Sequence, residues 1–169
     1  MEPDNNTTPA VTEQIDPLAD VKKKLTEAEK EAFFKCFLAD KPYEAEETLF
    51  GGKLRVKFAS LSVEQNNAIM RQMELDRRHK RAQDTDAYLI RVIQYRLAAS
   101  LAELDGKPFA PGLIVNNPDN EEKGETYLAE RVELMRTWPV FKVSSLTDAF
   151  NRFEKKLLAL TQESFQENF

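Results

Sequence analysis

Apolar side chains recur at helical spacing in five stretches of the chain and alternate with polar ones in one. The alternating stretch gives the sharpest local signal. Tyr43–Phe50 and Lys53–Ser60 flank Gly51-Gly52, a pair that tolerates positive φ and so predicts a β-hairpin with a two-residue turn. A turn centred there fixes the register: Leu49 faces Leu54, Thr48 faces Arg55, Glu46 faces Lys57 and Ala45 faces Phe58. Leu54, Val56 and Phe58 then share one face, and Lys53, Arg55 and Lys57 the other. The acidic strand lies against the basic one, and each cross-strand ion pair adds about 0.2–1 kcal/mol. Glu47, opposite Val56, breaks this pattern.

The helical stretches carry their own boundary signals. Thr26 and Glu29 have capping-box spacing, Phe33, Phe34, Phe37 and Leu38 follow at helical spacing, and Asp40-Lys41-Pro42 stops the helix. Ser62 and Gln65 form a second box, opening a helix predicted to run to about Ala82, with Ile69 and Met73 on a thin inner face. Asp84 or Thr85 starts the third. Leu89, Ile93, Leu97 and Leu101 recur every four residues along it, widened by Ile90 and Val92, which predicts the central core helix. Asp105-Gly106 signals another tight turn, and Phe109–Asn120, with Pro111, Gly112 and Asn116-Asn117-Pro118-Asp119, reads as loop. The fourth helix spans about Glu121 to Thr137, presents Leu128, Val132 and Met135, and ends at Trp138-Pro139. Ser145 and Asp148 suggest the cap of the last helix, whose stripe is Leu146, Ala149, Phe150, Phe153, Leu157 and Leu160.

These elements predict an α+β fold that is mainly α: a hairpin over 43–60 packed on a small domain of about five helices. A chain of 169 residues, 41% apolar and 31% charged, can bury a core without disulfides or metals, and its 5 glycines argue against a turn-rich sheet architecture. The net charge of −5 is unevenly placed: Glu2, Asp4, Glu13, Asp16 and Asp20 account for all of it. Residues 1–20, rich in acid, Pro, Asn and Thr, are therefore expected to form a flexible arm. One domain is expected over 21–160, and a frayed tail over 161–169. Cys36 is the sole cysteine, which excludes an intramolecular disulfide and fits a reducing compartment. No stretch approaches the roughly 20 apolar residues of a membrane span. Met1–Asp20 has neither the basic start nor the apolar core of a secretory leader.

Little catalytic chemistry is on offer. The sole histidine, His79, sits in Arg77-Arg78-His79-Lys80-Arg81, where basic neighbours oppose the imidazolium a triad needs. Cys36, among Phe33, Phe34 and Phe37, reads as a packed thiol. No GxxxxGK[ST] loop or metal-ligand spacing is present, and no carboxylate pair stands out. The expectation is no catalytic, metal or cofactor site and no small-molecule substrate. Arg77, Arg78, Lys80 and Arg81 are the best polar candidates for a partner. A helix end whose cations complement the dipole is preferred over contact with a phosphate backbone or an acidic partner, and a single-strand stacking platform is disfavoured because no aromatics interleave the cluster. The stripe of the last helix reads first as core, but Phe153, Leu157, Phe165 and Phe169 extend an aromatic face toward the terminus and are the candidate apolar anchors for a protein partner.

The order of elements is also suggestive. A Phe-rich helix leads into KPYEAEETLFGGKLRVKFASLSVEQNNAI. A long helix ending in LAELDGKPF follows, then helices around WPV and LTDAFNRFEKKL. Over roughly Phe33 to Leu160 this resembles the small tail- or baseplate-assembly proteins of tailed bacteriophages, notably the tail assembly chaperone type. The resemblance implies a non-enzymatic protein that holds another virion protein, such as a tape measure or baseplate component. It would act in the host cytoplasm during assembly, or in the virion if it is a retained adaptor. A nucleic-acid-binding accessory protein using residues 77–81 is a third, less favoured reading, no membrane partner is expected, and the resemblance carries over no binding residue.

Overall fold

A computed structural model describes residues 16–81, 84–109 and 121–166, with backbone alone for 121–127 and 165–166. Among these, six helices and four strands follow in the order α1 (Ala19–Lys22), α2 (Glu27–Leu38), β1 (Glu44–Leu49), β2 (Leu54–Ala59), α3 (Val63–Arg78), α4 (Thr85–Ser100), β3 (Leu101–Leu104), β4 (Lys107–Pro108), α5 (Glu121–Arg136) and α6 (Val140–Gln166). The protein is mostly helical with one small antiparallel sheet, ordered β1-β2-β3-β4.

The hairpin has the register its Gly-Gly turn dictates, from Leu49↔Leu54 through Glu46↔Lys57 to Ala45↔Phe58. Gly51 and Gly52 take φ of +64° and +86°, as a turn matching the strand twist requires. The expected Glu46–Lys57 ion pair does not form. Lys57 instead binds Glu103 on β3 and lies 3.9 Å from Glu44. A third strand on the far side of β2 thus redirects the cation. Glu47, the exception in the pattern, faces inward and reaches Arg152 of α6 at 3.0 Å.

Both capping boxes form: Thr26 accepts from Glu29 N and Ser62 from Gln65 N, with reciprocal bonds from the N3 side chains. Several boundaries differ from expectation. α3 ends at Arg78 rather than Ala82, with Lys80 at φ +56°. α4 ends at Ser100, and Leu101 is the first residue of a strand paired with β2. Leu101 is buried either way, so the four-residue stripe runs unbroken across a change of structure. Its first half is not core: Leu89, Ile90 and Ile93 are exposed, while Tyr95, Leu97, Ala98 and Ala99 are buried. α6 begins at Val140, with Lys142 N and Val143 N donating to Pro139 O, so Ser145 and Asp148 are interior rather than capping. It runs 27 residues to Gln166, about 40 Å, so most of the expected tail at 161–169 is helix.

The expected arm overlaps the folded body at its C-terminal end. Leu18 is buried, α1 lies against α6, and Asp16 accepts from Leu18 N and pairs with Lys22. Residues 1–15 and the expected loop after Phe109 lie outside the described residues.

One core joins the layers. α3, α4 and α5 pack together, and α6 contacts α1, α2, α4 and β1. A buried row of rings ties sheet to helix: Tyr43 stacks on Phe153 at 6.5 Å, and Phe58 meets Phe153 at 5.6 Å and Phe150 at 5.9 Å. Leu128, Val132 and Met135 bury the inner side of α5 as expected.

Candidate protein-binding surface

The polar candidates are mostly absorbed by the fold. Arg77 and Arg78 lie 4.0 and 3.1 Å from Glu74, and Arg81 lies 3.5 Å from the buried Asp76. Arg77, Arg78 and Arg81 thus face carboxylates of their own chain. This geometry favours the structural reading over a phosphate-binding one. His79 is the exposed C-cap residue of α3. Cys36 is a half-buried free thiol packed against the core cluster. No group of three or more His, Cys, Asp or Glu is placed to hold a metal among the described residues, nor is any described helix long and apolar enough to cross a membrane.

Two buried polar centres have structural roles that sequence reading missed. Asp76, fully buried on α3, accepts from Tyr95 Oη at 2.8 Å and has Arg91 Nε at 3.8 Å. Burial, then the hydrogen bond to Asp76 and its charge, push the Tyr95 hydroxyl up to about 12. A folded-state pKa raised above the unfolded value of about 10 means stability present below about pH 10 and lost as pH climbs through about 12. The stability advantage of the wild type over Tyr95→Phe should therefore narrow by about 2 kcal/mol across that window. Chemical denaturation of both proteins from pH 9 to 12 checks it, and a constant difference would show that the Tyr95 proton does not matter. Arg131, on α5, is the second centre. Its guanidinium donates to the carbonyls of Ala98, Leu101 and Phe109 and lies 4.8 Å from the centre of the Phe109 ring. Burial pulls this cation down to about 10, which still leaves it charged at neutral pH.

The apolar candidates are redistributed. Phe153 is 1% exposed and belongs to the core, so it offers a partner no surface: the stripe of α6 is consumed by β1, β2 and α2. Leu157 is half-buried and lines a cavity of about 440 Å³ with Phe33, Leu61, Arg96, Glu154 and Thr161. The Phe165 side chain and Phe169 lie outside the described residues.

The exposed apolar surface lies elsewhere. Val140, 85% exposed, is on the rim of a groove of about 490 Å³ between α4, α5 and α6, whose apolar lining includes Val132, Met135, Trp138 and Val143. Trp138 is held there by Phe109 at 5.7 Å and by the Lys142 ammonium 4.1 Å from its ring centre. Beside Val140, Phe141 is 66% exposed and meets Phe50 edge to face at 6.0 Å. Phe50 sits at the hairpin tip with φ +53°. Groove, Val140, Phe141 and Phe50 form an apolar band around the start of α6. A second patch is the outer side of α2, where Phe34 stacks on Phe37 at 6.5 Å and Leu38 is 67% exposed. α2 has no fully buried residue, and polar pairs help fasten it to α6: Glu29 with Lys156, and Lys30 with Glu163 at 3.5 Å. Its apolar surplus, four large residues within six positions, was visible in sequence. Which side met the body was not.

Compared with known protein families, curated proteins and solved structures, the chain matches none.

Proposed function

We propose that this protein is a non-enzymatic assembly factor that holds another structural protein of a tailed-phage particle against its exposed apolar band. The single observation that carries the reading is the band itself. Val140, Phe141 and Phe50 are large apolar side chains left in water beside an apolar groove, although the same chain buries Tyr43, Phe58, Phe150 and Phe153 closely. Contiguous exposed apolar surface of this kind marks interaction sites, and aromatic anchors commonly dominate binding energy. The order of elements, resembling tail assembly chaperones, supplies the partner class: a tape measure or baseplate component. The polar clusters support the same reading, because the Asp76 and Arg131 centres are buried and bonded to the chain's own groups.

A retained structural adaptor is the second reading, since the same band would serve a permanent contact. Mass spectrometry of purified particles separates the two. The chaperone reading expects the protein in infected-cell lysate bound to its partner and missing from finished particles. Stoichiometric recovery from particles would replace it with the adaptor.

A further inference from the structure

The sheet ends in an open acidic edge. Ser60 N donates to Tyr43 O, Asp105 N donates to Arg55 O, and Ser100 Oγ donates to Ala59 O. The first bond makes 43↔60 a hydrogen-bonded pair, and the other two point the carbonyls of Arg55 and Ala59 toward β3. By the alternation of an antiparallel ladder, Tyr43, Ala45, Glu47 and Leu49 bond to β2. The N–H and C=O groups of Glu44, Glu46 and Thr48 therefore point away from it. No hydrogen bond to these outward groups is made among the described residues. The side chains of the same three residues are exposed on the outer face. Glu46 has no ion pair among the described residues, since Lys57 is drawn to Glu103 and Glu44.

Such an edge is a template for one more strand, and its charge selects which one. A second copy of this chain paired antiparallel through β1 would, according to register, set Glu44 against Glu46, or Glu46 or Glu47 against its own copy, a destabilising arrangement. A strand with Lys or Arg at alternate positions would place cations beside Glu44 and Glu46. The hairpin end of this edge carries the exposed Phe50–Phe141 pair, which can receive an apolar residue from the same segment.

We propose that β1 binds its partner by strand addition, taking an extended basic segment along the open edge of Glu44, Glu46 and Thr48. This rests on the reading of the chain as a protein-binding factor, and it names the mode and the chemistry of the bound segment.

The test uses the full chain and an end-blocked synthetic peptide of about nine residues alternating Lys and Val, enough to span an edge strand, with an alternating Glu–Val peptide as control. Followed by backbone amide NMR, the Lys–Val peptide should bind and slow the exchange of the Glu44, Glu46 and Thr48 amides, and the Glu–Val peptide should not bind. Glu44→Gln with Glu46→Gln should weaken binding by about tenfold, because rim charges set partner choice. Glu46→Pro removes an outward N–H that the β1–β2 ladder does not use, so the hairpin should survive and binding be lost. The double Gln variant keeps the test valid should the Pro variant not fold. Failure of the Lys–Val peptide to bind, equal binding of the Glu–Val peptide, or protection that maps to α2 would overturn strand addition. So would self-association of the chain through β1. A partner still captured through Phe141 would show that the assembly-factor reading survives that failure.

Discussion

Arg131→Ala should cost the fold about 2–4 kcal/mol, because it leaves buried carbonyls without a donor, at about 1–3 kcal/mol for an unsatisfied group, and opens a cavity. The reason lies at the end of α4. Every α-helix leaves its last carbonyls without intrahelical donors, and many helices solve this with a glycine turn. α4 has no such turn, because its chain passes from Ser100 straight into β3. Leu101 N serves Leu97 O, and Arg131 serves Ala98 O at 2.6 Å and Leu101 O at 3.3 Å. The same guanidinium holds Phe109 O at 2.8 Å, just beyond β4. Alanine would leave these carbonyls in a dry environment and open the space under the Phe109 ring. Arg131→Met keeps most of the volume, so the share it fails to recover measures the hydrogen bonds. Urea unfolding of the three proteins checks this. A loss under about 1 kcal/mol for Arg131→Ala would mean that water reaches those carbonyls.

Leu97→Asp is the second large effect. Leu97 is 1% exposed within the cluster that joins α4 to the sheet. An unpaired carboxylate there should cost several kcal/mol or prevent folding. Ile93→Asp, one turn earlier on the same stripe, should stay within about 1 kcal/mol, because Ile93 is exposed. Equal losses at the two positions would contradict the division of α4 into a buried and an open half.

That pair of variants also shows how far the sequence is legible. Local chemistry is readable: the Gly-Gly turn sets the hairpin register, and two capping boxes set helix starts, because each depends on residues a few positions apart. The extent of the stripe on α4 is not. A period of four continues through Leu101 whether the backbone is helix or strand, and the one cue for β3 and β4 was the Asp105-Gly106 turn. The start of α6 was hidden for a similar reason. Pro139 provides the first accepting carbonyl, while Ser145 and Asp148 resemble a cap yet lie mid-helix. The candidate surface was the least legible part. Phe153 lies within the apolar stripe of α6 and Phe141 precedes it, and their fates follow what packs on them: Tyr43 and Phe58 on one, Phe50 at the hairpin tip on the other. Arg131 and Asp76 gave no sequence signal, since burial of a single charge depends on elements distant in the chain.

The most direct test of the central claim is the affinity of the full chain for the proposed partner class, a tape measure or baseplate protein of a tailed phage, measured for the wild type and for Phe141→Ser. Phe141 is exposed and lies outside the core cluster, so the thermal midpoint should not move. The loss of one aromatic anchor worth about 2 kcal/mol should weaken binding about 30-fold. Unchanged affinity for Phe141→Ser in a protein that does bind such a partner would contradict the claim that the apolar band at the start of α6 is the binding surface.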